Sequence, residues 1–544
     1  MILAVIPARG GSKGIPRKNV RLMNGKPLIC YAIQNALGSR YIDDVVVSSD
    51  DEEILSIANQ CGAVAMDRES ALAQDAVTLD PVIYDAVLRM EQRTGNSYDV
   101  AVTLQATSPL LSVETLDGAL ESFLASDYDT YISAVNRPHL SWRTEDGICV
   151  PNYEKRLNRQ QLPADYLETG AFLITRRACV TAASRIGERV SVYEMPEKEA
   201  TDIDDISDWI VCEQEMKKKK ILFRADGYRE LGMGHIYHCL TLAYHLTGHE
   251  ILFVTMRRHE EGLRKLRESF MPLEVIEKEE DLFDILAQWK PDVVVNDCLD
   301  TTETYIRRLK QYVPRVVTIE DVGSGARWAD AVVNALYEDR SQGNSYYWGE
   351  NYVCLKDEFL MREPAVCREE LREVTVIFGG TDPGNFTARI YRLAKKLGME
   401  YPNLHFTFLL GAAYDAEKNG IVSSDSDYIT VYRDVKRVSD VFAKSDFAFT
   451  SQGRTVYELA AMGIPAIVLA QNERETRHTF AQMGNGFINL GLGSRVDDET
   501  IESTFRWVLH TPQIRREMRN LMLQHDLRKG TERVIRLILQ ESDT

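Results

Sequence analysis

Short apolar runs alternate with helical patterns along most of the chain, and this alternation limits the folds open to it. Residues 2–7 (ILAVIP), 44–50 (DVVVSSD) and 99–105 (DVAVTLQ) are β-branched runs typical of buried strands. Helical patterns such as YAIQNAL and DEEILSIANQCG lie between them. Strands alternating with helices predict an α/β fold, with a mostly parallel sheet covered by helices on both faces. Ligands of such sheets bind in the loops at the carboxyl ends of the strands.

The length of 544 residues exceeds one ordinary core and predicts two or three domains. Near residue 210 a closing helix (DWIVCEQEMKKKK) gives way to a new strand and loop (KKILFRADG), which places a boundary at about residue 217. Beyond it, strand candidates form two runs separated around residues 356–370, which predicts two Rossmann-like halves facing across a cleft. These candidates are ILFRAD, EILFVT, DVVVND, RVVTIED, AVVNAL, VTVIFGG, HFTFLLG, YITVYR, FAFTS and AIVLA. The predicted domains are residues 1–216, 217–365 and 366–544.

Composition restricts the classes of function. The formal net charge is −18 and the pI is near 5.2, which argues against general nucleic-acid binding. Lys217–Lys220 are better explained as a solvated helix end than as a nucleic-acid patch. No apolar run approaches the roughly 20 residues that span a bilayer, and no signal-peptide pattern is present, so no membrane partner is expected. Nine scattered cysteines without a CxxC pair predict reduced thiols and a cytoplasmic location.

The first loop, Arg9-Gly10-Gly11-Ser12-Lys13-Gly14, follows a predicted strand and gathers cations in an acidic chain. Its glycines allow backbone amides to approach phosphate oxygens, and Arg9 and Lys13 add charge-assisted donors. Lys18 and Asn19 supply a further cation and an amide. The pattern is not a Walker P-loop. An ordinary glycine-rich loop is the alternative, but the density of cations favours nucleotide binding.

Two aspartates, Asp202 and Asp204, lie near the end of the first domain. In an extended segment, residues i and i+2 point to the same side, so their carboxylates would lie together. Adjacent carboxylates repel unless a cation sits between them, and Mg²⁺ is usually held by one or two carboxylates plus substrate phosphates. The alternative is a helix N-cap made by Asp205 or Ser207, and the two roles are compatible.

The string IPARGGSKGIPRKN resembles the signature of the CMP-sialic-acid synthetase family of cytidylyltransferases, and the resemblance continues through most of residues 1–215. Further segments similar to the family follow in its order: VVVSSDDEEI, Arg68, LQATSPLL, RQQLPADYLETGAFLI and TDIDDISDW. The resemblance implies a nucleotidyltransferase domain of GT-A-like type. Two departures affect the sugar pocket: Thr169 replaces an asparagine, and Phe172-Leu173 replaces an Ile-Tyr pair.

This resemblance implies that CMP is transferred from CTP to a nine-carbon 2-keto sugar acid, a nonulosonic acid, with release of pyrophosphate and with Mg²⁺ as cofactor. Sialic, pseudaminic and legionaminic acids remain open, as does an eight-carbon acid, and a dimer is expected. The implied roles are phosphate binding by Arg9, Gly10, Gly11, Ser12 and Lys13, nucleotide binding by Lys18, Asn19 and Arg68, sugar-acid binding by Gln105 and Arg159, metal binding by Asp202 and Asp204, and catalysis by Arg9, Lys13 and Asp204.

A second strand–loop–helix pattern, FRADGYRELGMGHIYHCLTLAYHL, places His235 at a predicted helix N-terminus. The positive end of the helix favours the neutral ring, so His235 is a candidate base. His235 and His238 are three residues apart, which is compatible with a metal site. We do not favour that alternative, because no acidic or cysteine set accompanies the two histidines nearby in the sequence.

The same stretch resembles the G-x-G-H-x-x-R motif of the UDP-sugar hydrolase that acts before pseudaminic acid synthesis, an enzyme with a GT-B-type fold. The resemblance spans most of residues 221–500, and VTVIFGGTDPGNFT is similar to its second phosphate loop. SQGRTVYELAAMGIP is similar to the fold's G-x-T-x-x-E segment. The resemblance to this family implies that Gly453 and Thr455 face the UDP diphosphate, that Glu458 binds the ribose, and that His235 activates water. His238 stands where the family has arginine, and NERETRH lacks a glutamine often found there.

Together the two resemblances predict a bifunctional enzyme. Hydrolysis of a UDP-sugar would release a diacetamido sugar, a separate PEP-dependent synthase would lengthen it, and the first domain would activate the product with CTP. A cytidylyltransferase carrying a non-catalytic nucleotide-sugar-binding domain is the alternative, and the second region could also act on another nucleotide sugar.

Overall fold

The computed structural model describes residues 1–11, 14–74, 76–228, 233–337, 343, 345–380, 382–411, 414–421 and 427–541. The chain divides into two compact units, Met1–Lys218 and Lys219–Thr544. Sequence analysis placed this boundary between residues 216 and 217, where the closing helix of the first unit ends and its lysine-rich end leads into the next strand.

The first unit alternates strands and helices. Its strands are β1 (Ile2–Pro7), β2 (Leu22–Met23), β3 (Lys26–Pro27), β4 (Asp44–Ser49), β5 (Val64–Asp67), β6 (Val100–Leu104), β7 (Thr130–Asn136), β8 (Trp142–Glu145), β9 (Ile148–Pro151), β10 (Tyr166–Arg176) and β11 (Val190–Glu194). Its helices are α1 (Leu28–Gly38), α2 (Glu52–Gln60), α3 (Leu79–Thr94), α4 (Val113–Leu124) and α5 (Ile206–Met216).

The main sheet of this unit has the order β11-β7-β10-β6-β1-β4-β5. Its strands are parallel except at β10, which runs antiparallel to both β6 and β7. Alternate residues of β1 enter opposite cores: Ile2, Ala4 and Ile6 pack with helices α1, α2 and α4, whereas Leu3 and Val5 pack with α3. The sheet is therefore covered on both faces and its loops meet at the carboxyl edge.

The second unit is built on two further sheets. Its strands are β12 (Lys220–Ala225), β13 (Glu250–Met256), β14 (Leu273–Ile276), β15 (Val293–Asp297), β16 (Arg315–Ile319), β17 (Ala331–Asn334), β18 (Tyr346–Trp348), β19 (Glu373–Ile377), β20 (His405–Leu410), β21 (Ile429–Arg433), β22 (Phe447–Thr450), β23 (Ala466–Ala470) and β24 (Phe487–Leu492). Its helices are α6 (Gly234–His245), α7 (Glu260–Glu268), α8 (Glu280–Trp289), α9 (Glu303–Leu309), α10 (Asp357–Leu360), α11 (Phe386–Glu400), α12 (Val438–Phe442), α13 (Thr455–Met462), α14 (Asp498–His510), α15 (Pro512–Met522) and α16 (Gly530–Leu539).

Both sheets of the second unit are parallel, with the orders β14-β13-β12-β15-β16-β17-β18 and β21-β20-β19-β22-β23-β24. In each, the first strand lies inside and the chain winds outward in both directions, which is the Rossmann strand order. The predicted fold class is confirmed: an α/β first domain is followed by a double Rossmann region of GT-B type. Each of the predicted strand runs of this region forms a strand.

The last helix departs from the predicted division at residue 366. Helix α16 lies in the predicted second half, but Val534 and Ile538 pack into the core beneath the first sheet of the unit, with Phe223 and Val295. The chain therefore crosses back, because the apolar stripe of α16 is buried there. Among the described residues, no helix is long and apolar enough to cross a bilayer.

Candidate active sites

The first loop leaves β1 at the carboxyl edge of the first sheet. The backbone N–H of Gly10 donates to Oδ1 of Asp50, 3.1 Å away, and the Asn19 side-chain amide donates to the carbonyl of Arg9 at 3.0 Å. Two of the predicted nucleotide residues, Arg9 and Asn19, are thus joined directly, and Gly10 is tied to the end of β4 through Asp50. Ser12 and Lys13, predicted to bind phosphate, lie outside the described residues.

Arg68 lies beside this loop. Its guanidinium is buried and donates to the hydroxyl and the carbonyl of Ser48, at the end of β4. Burial lowers the pKa of Arg68, Asp50 opposes this effect and the charge of Arg9 adds to it. Arg68 thus adds a second positive charge on the same side of the sheet as Arg9.

The first loop also reaches the aspartate segment 201–204. A Cβ atom placed on Gly14 would overlap the carbonyl oxygen of Asp204, so only glycine allows the two backbones to approach this closely. The Lys18 ammonium donates to the carbonyl of Ile203, whose own N–H donates to the carbonyl of Thr107 at 2.9 Å. The structure thus brings the cationic loop and the aspartate pair together across 185 residues of sequence.

Asp202 lies at the centre of a second set of contacts. Gly170 has a φ of +70°, and a Cβ there would lie 3.4 Å from Oδ2 of Asp202 and 3.2 Å from Nε2 of Gln105. Oδ1 of Asp202 and Oγ1 of Thr107 are both buried. Burial raises the pKa of Asp202, the Thr107 hydroxyl lowers it by its interaction with the carboxyl, and the negative charge of Asp204 raises it. A buried carboxylate next to a second carboxylate fits a bound cation.

A metal ion at Asp202 and Asp204 would need oxygen atoms of the substrate as further ligands. Within the described part of the chain, no group of three or more His, Cys, Asp or Glu side chains could hold a metal by itself. Asp202 and Asp204 would supply two of the ligands that Mg²⁺ needs. The helix cap that was the alternative role for this segment is made by Asp205. Its carboxylate accepts the N–H groups of Ser207 and Asp208 at the start of α5, so Asp202 and Asp204 do not cap this helix.

Two predicted sugar-site residues are placed differently. Arg159 lies on an exposed turn, and its side chain makes no hydrogen bond or ion pair with a described residue. Thr169 replaces the family's asparagine and turns away from Gln105, because its hydroxyl donates to Oγ of Ser133 at 2.9 Å inside the sheet. The structure therefore groups Gln105 with Gly170 and Asp202, but joins neither Arg159 nor the Thr169 hydroxyl to them.

In the second unit, the carboxyl edge of the first sheet carries the candidate base. His235 and His238 lie on one face of α6, and both rings reach Asp297 at the end of β15. Nδ1 of His235 bonds to Oδ1 of Asp297, and Nδ1 of His238 to Oδ2 at 3.0 Å. Burial opposes the charged form of Asp297, but the two histidines hold its pKa far below the usual range. A carboxylate held in this way fixes the orientation of each ring and the proton on each Nδ1.

A second buried acid joins neighbouring strands of this sheet. Asp226 follows β12 and accepts from Arg224 at 2.7 Å and from the hydroxyl of Thr255 at 3.0 Å, and Nδ1 of His259 lies 2.8 Å away. Burial would raise the pKa of Asp226, but Arg224 and His259 hold it well below its usual range. Since these partners lie on β12 or at the end of β13, we assign Asp226 to joining the carboxyl ends of these two strands.

The two candidate anion sites of the second Rossmann half differ. At α11, the carboxylate of Asp382 accepts the N–H groups of Phe386 and Thr387, at 3.0 and 2.7 Å. Those two amides already have an anion, and the interpretation of VTVIFGGTDPGNFT as a phosphate loop stays a prediction for the glycines that precede them. Among the described residues, no side chain caps the start of α13, where Gly453 and Thr455 lie. The N–H groups of Val456 and Tyr457 donate to the carbonyls of Gly453 and Arg454, so the amides nearest a ligand are those of residues 453–455.

Arg454 connects α13 to the histidine site. One guanidinium nitrogen donates to the carbonyl of Gly234 at 3.3 Å, and the other lies 3.0 Å from Glu320. Glu458, predicted to bind ribose, lies one turn further along α13 and pairs with Lys356 at 3.4 Å. The histidine site and the open start of α13 thus share one region of this unit.

Sequence analysis missed Asp297, Glu320 and the contact made by Arg454. A weak signal was present, since the runs DVVVND and RVVTIED both end in acids at predicted strand ends. Nothing in the sequence indicated which of these acids would face His235.

Comparisons with known proteins agree with the geometry of the first unit. Residues 3–224 match the family model described as Cytidylyltransferase. Pseudaminic acid cytidylyltransferase of Campylobacter jejuni is 35% identical over 232 residues, covering 41% of this chain and 97% of that protein. N-acylneuraminate cytidylyltransferase A of Danio rerio is 34% identical over 221 residues, covering 39% of this chain and 50% of that protein.

A third relative extends beyond this region. Spore coat polysaccharide biosynthesis protein SpsG of Bacillus subtilis is 27% identical over 292 residues, covering 51% of this chain and 85% of that protein. The match covers more of the chain than the first unit contains, so part of it lies in the second unit. The chain spans about half the length of several of the curated relatives that it matches. The first unit is at least about one-third identical to relatives that it matches over nearly their whole length, and the chain therefore belongs to the cytidylyltransferase family.

Proposed function

We propose that the first unit transfers CMP from CTP to a nonulosonic acid in the presence of Mg²⁺. The contact between the first loop and the aspartate segment is the observation that carries this proposal, since Gly14 touches Asp204 and Lys18 bonds to Ile203. A triphosphate over the loop would lie next to two carboxylates, and the cation that accompanies CTP would neutralise both sets of charges. The names of the Campylobacter and Danio relatives support a sugar acid as acceptor.

Each residue then has a defined task. Arg9 and the amides of Gly10 and Gly11 bind and orient phosphates, and Lys13 and Ser12 are expected to assist them. Asp202 and Asp204 would hold Mg²⁺, which when bound lowers the pKa of the attacking hydroxyl and neutralises the α-phosphate. Gln105 is placed to orient the acceptor beside Asp202. Catalysis is mainly positioning and charge neutralisation, as in other phosphoryl transfers.

The test is a product assay with CTP, Mg²⁺ and a panel of sialic, pseudaminic, legionaminic and eight-carbon acids, read by mass spectrometry and pyrophosphate release. Asp202→Asn should reduce turnover by at least about 10²-fold because it removes a metal ligand. Asp205→Asn is the matched control, because asparagine also caps helices and should keep activity near wild type. No CMP-sugar with any acid, or equal losses in both variants, would refute the assignment.

For the second unit we propose hydrolysis of a UDP-linked diacetamido sugar. The pairing of His235 with Asp297 supports it, because this contact leaves Nε2 of His235 as the ring atom able to take a proton from water. The uncapped start of α13 supports diphosphate binding by Gly453 and Thr455, and Arg454 adds a cation beside it. Glu458 would then bind the ribose hydroxyls, in exchange for its contact with Lys356.

UDP release by the full-length enzyme from a set of diacetamido UDP-sugars tests this second activity. His235→Asn should abolish release while leaving the affinity for UDP unchanged, because asparagine removes the base and retains a polar side chain. UDP binding without turnover of any candidate would favour the alternative, a non-catalytic nucleotide-sugar-binding domain, and turnover of a different UDP-sugar would redefine the substrate.

The two activities belong to one biosynthetic sequence in this proposal. The hydrolysis product would need three more carbons before it could accept CMP, so a separate PEP-dependent synthase is the expected partner. We place the enzyme in the cytoplasm as a dimer, and both statements are open to direct test by fractionation and by light scattering.

A further inference from the structure

Asp297 is shared between two histidines, and the proposed hydrolase reaction uses only one of them. The carboxylate is fully buried, and its two oxygens are divided, Oδ1 to His235 and Oδ2 to His238. Both histidines are also buried, at 6% exposure each. A buried carboxylate between two rings restrains both of them, and a change in the charge of one ring alters the field at the other.

Among the described residues, few other charged groups lie near the pair. Cys239 lies on α6, 3.6 Å from Oδ2 of Asp297, and Cys298 follows Asp297 in the chain. Burial raises the pKa of both thiols well above the usual value, so they stay neutral at physiological pH. Cys354 lies next to His238. The described charged groups that face the pair are Arg454 on α13 and, through it, Glu320 after β16.

We propose that His238 is a positioning residue that shares the Asp297 carboxylate with His235, fixing the acid and withholding part of its negative charge from the catalytic ring. The proposal rests on the proposed hydrolase function for its catalytic meaning, but the charge sharing itself does not require turnover. His238 would thereby limit how strongly Asp297 stabilises a positive charge on the His235 ring.

The charge state of His238 agrees with this role. Burial alone would lower the pKa of its ring, but Cys354 and Asp297 raise it to about 9, in spite of the opposing charge of Arg454. His238 is therefore a cation at neutral pH. In the reaction, Nε2 of His235 takes a proton from water while the water oxygen bonds to the sugar carbon, and the bonding electrons of the sugar–UDP bond leave with UDP.

The first test measures the pKa of His235 directly, by NMR of the full-length chain with labelled histidine, and His235→Asn identifies the resonance. His238→Gln should raise the pKa of His235 by about one unit, because it removes a neighbouring cation and frees Oδ2 of Asp297. His238→Arg should leave it close to wild type. His245→Gln, a change of an exposed-side histidine on the same helix, is the matched control and should have no effect.

Kinetics supply the second readout. The acidic limb of the pH profile of kcat/KM for UDP release should move upward by about one unit in His238→Gln, a tenfold loss of rate below the limb. A merely structural histidine would lower the rate without moving the limb. In wild type, the His235 resonance should show a second small step near pH 9, when His238 loses its proton, and this step tests the proposal even if the glutamine variant does not fold.

The outcomes separate the two proposals. A shifted His235 pKa without any hydrolysis supports charge sharing and refutes the hydrolase function. Hydrolysis with an unmoved His235 pKa in His238→Gln, or a wild-type His235 resonance without a step near pH 9, overturns the positioning role and leaves the hydrolase standing.

Discussion

Replacing Gly170 by alanine tests whether the residues grouped around Asp202 surround the reacting atoms. Gly170 has a φ of +70°, and a Cβ there would meet Nε2 of Gln105 at 3.2 Å and Oδ2 of Asp202 at 3.4 Å. Gly95, which ends α3, has a φ of +73°, but a Cβ there would meet no atom within 4 Å. Gly95→Ala therefore introduces the same backbone strain without touching the candidate site.

The two variants should lose similar stability and differ in activity. An alanine in the left-handed region costs about 1–2 kcal/mol, which in a unit of this size lowers the melting temperature by roughly 2–8 °C. In Gly170→Ala, Gln105 or Asp202 must also yield by a few tenths of an ångström. Since a 1 Å misplacement costs on the order of 10²-fold, this shift should reduce kcat/KM for cytidylyl transfer by about tenfold.

Differential scanning fluorimetry and a coupled pyrophosphate assay, with CTP and the best acid of the panel, measure both quantities on the same preparations. The Gly95→Ala enzyme should melt early but retain wild-type kcat/KM when assayed well below its melting point. If Gly170→Ala has wild-type kcat/KM while its melting temperature falls as in Gly95→Ala, then Gly170, Gln105 and Asp202 do not surround the reacting groups.

The other predictions concern charge and pH. Asp202→Asn should weaken Mn²⁺ binding, measured by calorimetry in the presence of a non-hydrolysable CTP analogue. In wild type, Mn²⁺ binding should weaken as the pH falls towards the raised pKa of Asp202, because the protonated acid does not bind metal. Unchanged Mn²⁺ affinity in the variant would contradict the metal site. Asp297→Asn should slow UDP release by about 10²–10⁴-fold with the Kd for UDP unchanged, because an amide does not stabilise the protonated His235 ring as a carboxylate does. A small effect on the rate would show that His235 does not depend on Asp297. The folded-state pKa of His238, about 9, lies above its unfolded value of about 6.5, so its contribution to stability is complete below pH 6.5 and is lost as the pH rises through 9. The melting temperature of wild type should therefore fall over this pH range, and that of His238→Gln should fall less. Equal falls in melting temperature would contradict the raised pKa of His238. Asp382→Ala should destabilise the chain by about 1 kcal/mol through loss of the cap on α11 but spare UDP affinity, and loss of UDP binding would instead place the diphosphate at α11.

The sequence alone determined the fold class and the position of most buried strands. Central strands such as β1, β15 and β23 are buried along almost their whole length, so each contains an apolar run that is visible without a structure. Strands such as β8, β9 and β11 were not predicted, because most of their residues are exposed and carry no such pattern. Helix α16 was placed with the wrong half because a helical stripe does not indicate which sheet it covers.

Local motifs likewise identified groups whose chemistry depends on neighbours in sequence: the cationic loop around Arg9, the aspartate pair, and His235 at the start of α6. Only the tertiary structure decided what these groups face. It brings Gly170 and Gln105 to Asp202, gives His235 a carboxylate 62 residues away, and carries Arg454 to Gly234 across 220 residues. The physical reason is that a backbone conformation or an apolar pattern is encoded within a few residues, whereas hydrogen bonds and buried charges are paired by the packing of whole sheets, which no single segment specifies.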